Sequence, residues 1–239
     1  MAEPSFQPDT VIMFGGSFAT GGTGAALADL YQRVFDVKNR GYGGYNTRIA
    51  LPIAQKWLPK QAEDRPRTAL MTIWFGANDA VFEGQLQHVP LAEFKLNLQR
   101  MIDLLQNPVS PHHSPTTKLL LITPPAILAS KWANFVSQTS GVQTSPDRSV
   151  EHTQQYVEAV KQVGLDRNVP VADVWEAMYE EAKENDMALD DMLYDGLHLT
   201  AKGYAIATEA IKATIATAYP ELHWEKQTRL FPEWRTLLV

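Results

Sequence analysis

The feature that most constrains this chain is an alternation along its whole length. Short apolar runs stop at glycine or proline, and each is followed by a stretch with helical spacing. Val11-Ile12-Met13-Phe14 runs into Gly15-Gly16-Ser17, and Leu70-Met71-Thr72-Ile73-Trp74-Phe75 into Gly76-Ala77-Asn78-Asp79. Lys118-Leu119-Leu120-Leu121-Ile122-Thr123 is stopped by Pro124-Pro125, and 169–174 is a shorter run of the same kind. Between the runs, the spacing predicts helices over 25–35, 49–58, 91–105, about 150–165, the stretch up to Asn185, and 201–218. In the first of these Leu27, Leu30, Tyr31 and Val34 fall at i, i+3, i+4 and i+7. Pro52 is tolerable only near the first turn of its helix. Alternation of this kind demands a mostly parallel sheet with helices on both faces, because parallel strands need crossover connections that lie over the sheet.

Three stretches read as irregular. Gly21-Gly22-Thr23-Gly24 is a flexible loop, Gly41–Thr47 a second glycine cluster, and 126–149 a long polar connection of the length used for lids or binding segments. Nothing resembles a linker or a repeat, so residues 1–239 are expected to form one domain. Its core is about 11–218, and the aromatic tail 219–239 packs on the body or on a second subunit, making a homodimer an expectation.

In an α/β protein, ligands bind outside the carboxyl ends of the strands. Ser17 stands there, at the end of the first run. Helix capping is the commoner use of serine after a strand; a nucleophile needs a base and an orienting acid as well. Tyr194-Asp195-Gly196-Leu197-His198 holds such a pair, at a spacing where a carboxylate in a turn reaches imidazole Nδ1 and leaves Nε2 to take a proton. Alone, Asp195 reads equally as a turn cap. Asn78 follows a strand, where its amide can donate to a developing oxyanion, although Gly, Asn and Asp are also ordinary turn residues. The glycines at 41, 43 and 44 allow close backbone approach to a ligand, or simply a turn.

Composition removes other chemistries. Twenty-one basic against 27 acidic residues give a net charge of −6 with no basic block, which argues against nucleic acid as a partner. With no cysteine, disulfides, thiolate metal sites and a thiol nucleophile are excluded. His88, His112, His113, His152 and His223 lack paired ligand spacing and read as surface or loop residues, so no metal is expected. Gly21–Gly24 is followed by no P-loop lysine, Leu27 stands where a dinucleotide motif needs its third glycine, and Ala19 replaces the second glycine of G-x-S-x-G. No apolar run is long enough to span a membrane and the first ten residues are not a secretory signal, so the expected location is the cytoplasm.

Taken in order, Phe14-Gly15-Gly16-Ser17, the Gly41–Thr47 loop, Gly76-Ala77-Asn78-Asp79 and Asp195-Gly196-Leu197-His198 resemble the four blocks of the GDSL/SGNH hydrolases. The resemblance runs from about 11 to 205. Arg40-Gly41-Tyr42-Gly43-Gly44-Tyr45, Val89-Pro90-Leu91-Ala92-Glu93-Phe94, the extension of the last block to Tyr204, and Trp234-Arg235 make it similar to the isoamyl acetate-hydrolysing esterase branch. The resemblance implies a three-layer α/β/α sandwich of flavodoxin-like type and a serine esterase acting on small carboxylic esters, acetate or short-chain, through an acyl-enzyme. It implies Ser17 as nucleophile, His198 as base, Asp195 as its orienting acid, and the Ser17 N–H, Gly44 N–H and Asn78 side chain as an oxyanion hole, with no cofactor or metal. One departure stands out: the family's Gly-Asp-Ser is Gly15-Gly16-Ser17 here, and Phe18-Ala19-Thr20 also differs from the usual continuation. Loss of that carboxylate suggests a looser oxyanion hole, and with it the alternative of a weakened relative acting as an acyltransferase or ligand-binding protein.

Overall fold

A computed structural model describes residues 8–60, 66–185 and 187–238. Its sheet has five strands, β1 (Thr10–Gly15), β2 (Asp36–Gly41), β3 (Thr68–Trp74), β4 (Lys118–Ile122) and β5 (Val171–Ala172), in the order β2-β1-β3-β4-β5. Every neighbouring pair is parallel. The helices are α1 (Gly22–Leu30), α2 (Thr47–Trp57), α3 (Leu91–Gln106), α4 (Ala129–Ser140), α5 (Val150–Arg167), α6 (Val174–Glu184), the single turn α7 (Leu189–Met192) and α8 (Ala201–Ala218).

Strand alternation divides the core. Val11, Met13, Leu70 and Trp74 face one side, where Leu27 of α1, Met178 of α6 and Ile211 of α8 cover them. Ile12, Phe14, Met71 and Ile73 face the other, beneath Ala50 of α2, Leu98 of α3 and Val160 of α5. Both faces of β1 and β3 are therefore buried, which is why these strands read as unbroken apolar runs. This is the expected α/β/α sandwich. The strand order reverses around β1: the chain leaves β1 for β2 on one side and reaches β3 on the other. At such a switch point the loops after adjacent strands diverge and leave a crevice.

The structure differs from the sequence reading at five places. The helix predicted over 25–35 ends at Leu30, because Arg33 takes φ 65° in the turn leading to β2. β2 itself gave no signal: it is a polar edge strand, Asp-Val-Lys-Asn-Arg-Gly, with no residue fully buried. The glycines at 21–24 are not a flexible loop but the cap and first turn of α1. A Cβ at Gly21 would lie 1.9 Å from the Tyr204 hydroxyl of α8, so glycine is required there for close helix packing. Helix α2 starts at Thr47, capped by Asn46, rather than at residue 49; Pro52 thus lies inside it, where it cannot donate to the Arg48 carbonyl. The long connection 126–149 contains α4, closed by Gly141 at φ 72°.

The tail divides in two. Tyr31 donates to the Leu222 carbonyl at 2.8 Å and Leu222 is buried, so the first part is fixed to the body. Phe231, Trp234, Leu237 and Leu238 stay 60% or more exposed.

Candidate active site

The Asp195–His198 segment is a tight turn closed by the antiparallel bridge between Leu193 and Leu199 and by Tyr194 N–H donating to the His198 carbonyl at 3.0 Å. Within it Asp195 is fully used. Oδ1 accepts the backbone N–H of Leu197 at 2.9 Å and of His198 at 2.7 Å, and Oδ2 lies 2.7 Å from His198 Nδ1. Burial works to raise this carboxyl, but the imidazole and the two backbone donors outweigh it, and the group titrates below the usual aspartate value. Nδ1 therefore donates to a carboxylate, and Nε2 is the ring nitrogen left to exchange a proton. The imidazole stands at the surface of the crevice with 27% of the side chain exposed.

The turn needs its glycine. Gly196 takes φ +93°, and a Cβ there would meet the Leu128 carbonyl and the Trp132 N–H at 2.6 Å. Helix α4 thus begins directly on the turn, with Leu128 N–H donating to the Gly196 carbonyl at 2.8 Å. Trp132 of α4 meets the His198 ring edge-on at 5.8 Å, and Tyr194 stacks on it at the same distance.

Ser17 opens a short 3-10 turn at the end of β1. It is half-buried, and its neighbour Phe18 lies 6.0 Å from the His198 ring, which brings the serine turn beside the histidine turn. Gly16 N–H donates to the Trp74 carbonyl at 3.1 Å, and Tyr42 N–H to the Gly15 carbonyl at 3.0 Å, so the serine turn is sewn to the loops after β3 and β2. Asn78 completes the junction: its Nδ2 donates to the Tyr45 carbonyl at 2.9 Å. Gly44, just before Tyr45, takes φ +78° and has its carbonyl held by Gln87 Nε2 at 2.7 Å. All four sequence blocks meet at one end of the sheet.

The departure at Gly16 is benign in geometry. Its φ of −78° and ψ of −150° suit any residue, and an added Cβ would be 3.4 Å from the Tyr45 carbonyl and 3.6 Å from Asn78 Nδ2. The Tyr45 carbonyl anchors Asn78 without a carboxylate at position 16.

Three side chains here had no role assigned from the sequence. Asp79 is wholly buried; its Oδ1 accepts Thr47 N–H at 2.8 Å and the Thr47 hydroxyl, while Oδ2 has no well-formed hydrogen bond. Burial pushes it up to about 6, against the pull of Thr47 and weaker help from the backbone amides of Asp79 and Gly76. Arg148, only 2% exposed, donates to the Ala77 carbonyl at 2.9 Å and lies over the Trp132 ring at 5.5 Å. Trp132 itself sits in the stretch expected to be irregular. Of the histidines set aside as surface or loop residues, His112 is a buried loop residue, its Nδ1 3.1 Å from the Pro59 carbonyl.

The GDSL-like lipase/acylhydrolase family model matches residues 10–206. An isoamyl acetate-hydrolyzing esterase 1 homolog of Bos taurus is 34% identical over 231 residues, which cover 96% of this chain and 85% of that one. The isoamyl acetate-hydrolyzing esterase of Saccharomyces cerevisiae is 32% identical over 215 residues, 90% of this chain and 83% of its own. Among solved structures, the lipase/acylhydrolase from Enterococcus faecalis shares the fold with a TM-score of 0.66 at 22% identity, over 94% of this chain and 100% of that chain. An acetylxylan esterase from Geobacillus stearothermophilus does so with a TM-score of 0.61 at 20% identity, over 87% and 94%. The sandwich, the four blocks meeting at its switch point and the match over residues 10–206 together establish that this chain belongs to the GDSL-like lipase/acylhydrolase family of carboxylic-ester hydrolases.

Proposed function

We propose that the protein hydrolyses small carboxylic esters, acetates or short-chain acyl esters, with Ser17 as nucleophile, His198 as general base and Asp195 as its orienting acid. The observation that carries this reading is the Asp195–His198 contact of 2.7 Å in a turn adjoining the serine turn. In the proposed cycle Ser17 Oγ attacks the ester carbonyl as its proton passes to His198 Nε2. The tetrahedral intermediate collapses, breaking the bond to the alcohol, whose oxygen takes the proton back from Nε2. Water then repeats the attack on the acylated Ser17 and releases the acid.

The oxyanion is assigned to the Ser17 N–H, the Gly44 N–H and Asn78 Nδ2. A primary amide has two N–H donors. With one fixed on the Tyr45 carbonyl at 2.9 Å, the direction of the other is fixed as well. This preorganisation favours acyl-transfer chemistry, hydrolysis or transfer to another acceptor, over the ligand-binding alternative, since a donor fixed in advance needs no reorganisation as charge develops. The relatives named as isoamyl acetate-hydrolyzing esterases support acetates as the first substrates to try. No helix among the described residues is long and apolar enough to cross a membrane.

The test is hydrolysis of p-nitrophenyl acetate and longer acyl esters by the chain and by Ser17→Ala. The chain should be faster by at least about 10³, the residual rate in the variant coming from binding and oxyanion donors. Equal rates for the two would overturn the reading.

A further inference from the structure

Beside the site lies a recess of about 350 Å³, lined by Gln85, Trp132, Ala133, Val136, Thr144 and Pro146. Two sets of contacts tie it to the reacting groups. Its wall is Trp132, whose ring is 5.8 Å from that of His198. Its other side is the loop carrying Gln85, which binds the Gly44 carbonyl through Gln87 at 2.7 Å and the Asp147 carbonyl through Phe82 N–H at 2.7 Å. The recess therefore lies between the histidine turn and the glycine loop.

It is also rigidly built. Asp147 lines it, but its carboxylate is gripped by Arg148 Nε at 2.8 Å and Nη2 at 3.0 Å. The same guanidinium holds the Ala77 carbonyl and the face of Trp132, so one buried cation sets the recess against the Asn78 loop. What remains is a mixed surface, apolar where Trp132, Ala133, Val136 and Pro146 line it and polar where the Gln85 amide and the Thr144 and Ser145 hydroxyls do. The charge of Asp147, the ionisable group in its lining, is already matched.

We propose that this recess holds the alcohol arm of the ester and that Trp132 is the residue through which the protein selects among alcohols. The proposal rests on the reading of His198 as the proton carrier. With Nδ1 held by Asp195, the leaving oxygen takes its proton from Nε2 as its bond to the carbonyl carbon breaks, the electron pair staying on oxygen. The group attached to that oxygen falls beside the ring, where Trp132 stands; the acyl chain remains on the carbon bound to Ser17. A volume near the small end of ligand pockets fits a compact apolar alcohol, flat or branched.

The experiment fills the recess and reads two selectivities. In Val136→Trp, kcat/KM for benzyl acetate relative to methyl acetate should fall by about tenfold or more, a typical effect of lost apolar space in a pocket. The ratio of methyl hexanoate to methyl acetate should move less than about threefold. Ser145→Phe, which fills the recess from its exposed rim, should act in the same direction and serves if the tryptophan variant does not fold. A collapse of the acyl ratio instead, or no change in either ratio, overturns the proposal. If the unaltered chain hydrolyses none of these esters, the esterase reading fails and the proposal falls with it, an outcome distinct from the other two.

Discussion

Asp195 and Asp79 are both buried, both lie in loops at the carboxyl end of the sheet, and they behave in opposite ways. Asp195 receives three donors on two oxygens and is held below its ordinary range. Asp79 has both of its strong donors on one oxygen, leaves the other without a well-formed hydrogen bond, and rises to about 6. Burial penalises the charge in each case; what differs is whether hydrogen bonds replace the lost water. The first carboxylate stays charged and can fix a histidine tautomer. The second is a joint: it pins the start of α2, and so the end of the glycine loop, to the loop of Asn78.

The largest expected effect separates these two roles by rate. Asp195→Asn should lower kcat by about 10³–10⁴, because an amide favours the wrong imidazole tautomer. Asp79→Asn, which keeps an oxygen for Thr47, should stay within about tenfold in kcat, since its contribution is geometry held by other bonds as well. Equal losses, measured on p-nitrophenyl acetate, would break the distinction.

Stability against pH sharpens it further. The pKa of Asp79 is raised on folding, from 3.8 to about 6. Its stabilisation is thus fully present below about pH 4 and is lost as pH rises through about 6, a change of ~3 kcal/mol. Asp195 has the opposite sign: its lowered pKa stabilises the fold above the unfolded value, and this is lost as pH falls through the folded one. Denaturant unfolding from pH 4 to 8 should show Asp79→Asn gaining on the unaltered chain as pH rises. Parallel curves would contradict the assignment of the orphaned oxygen.

The smallest effect is expected at the position where the sequence departs from its family. Gly16→Asp should fold, because the backbone there suits any residue and the Cβ meets only ordinary contacts. With Asn78 already anchored by Tyr45, kcat should change by less than about tenfold, below the cost of losing one oxyanion donor outright. A large gain would mean that the Tyr45 anchor is not enough.

The same contrast explains what could be read from the sequence. β1, β3 and β4 are buried between two helical layers, so their apolar runs announced them; α8 was bounded correctly at 201–218 because its apolar spacing ends where the helix does. Ser17, Gly44 and Asn78 sat in short blocks after strands, and Asp195 and His198 in a turn ahead of α8, where glycine and polar residues stand out; the structure brings these blocks to one end of the sheet. β2 was invisible because an edge strand need bury no face. α4 was missed because Ala133 is its one buried residue, although Gly141 and the spacing of Trp132, Phe135 and Val136 were signals of a helix. Arg148 could not be found at all, since an arginine in a polar stretch gives no sign that the fold will close over it.

The central claim is that the Asp195–His198 pair serves Ser17 in forming an acyl-enzyme. Its most direct measurement is mass spectrometry of the chain after reaction with a p-nitrophenyl alkylphosphonate, which a serine nucleophile attacks but releases slowly. The account predicts one adduct per chain, on the peptide containing Ser17, absent in Ser17→Ala and formed far more slowly in Asp195→Asn. An adduct on another residue, or labelling of Ser17 at the same rate without Asp195, would contradict it.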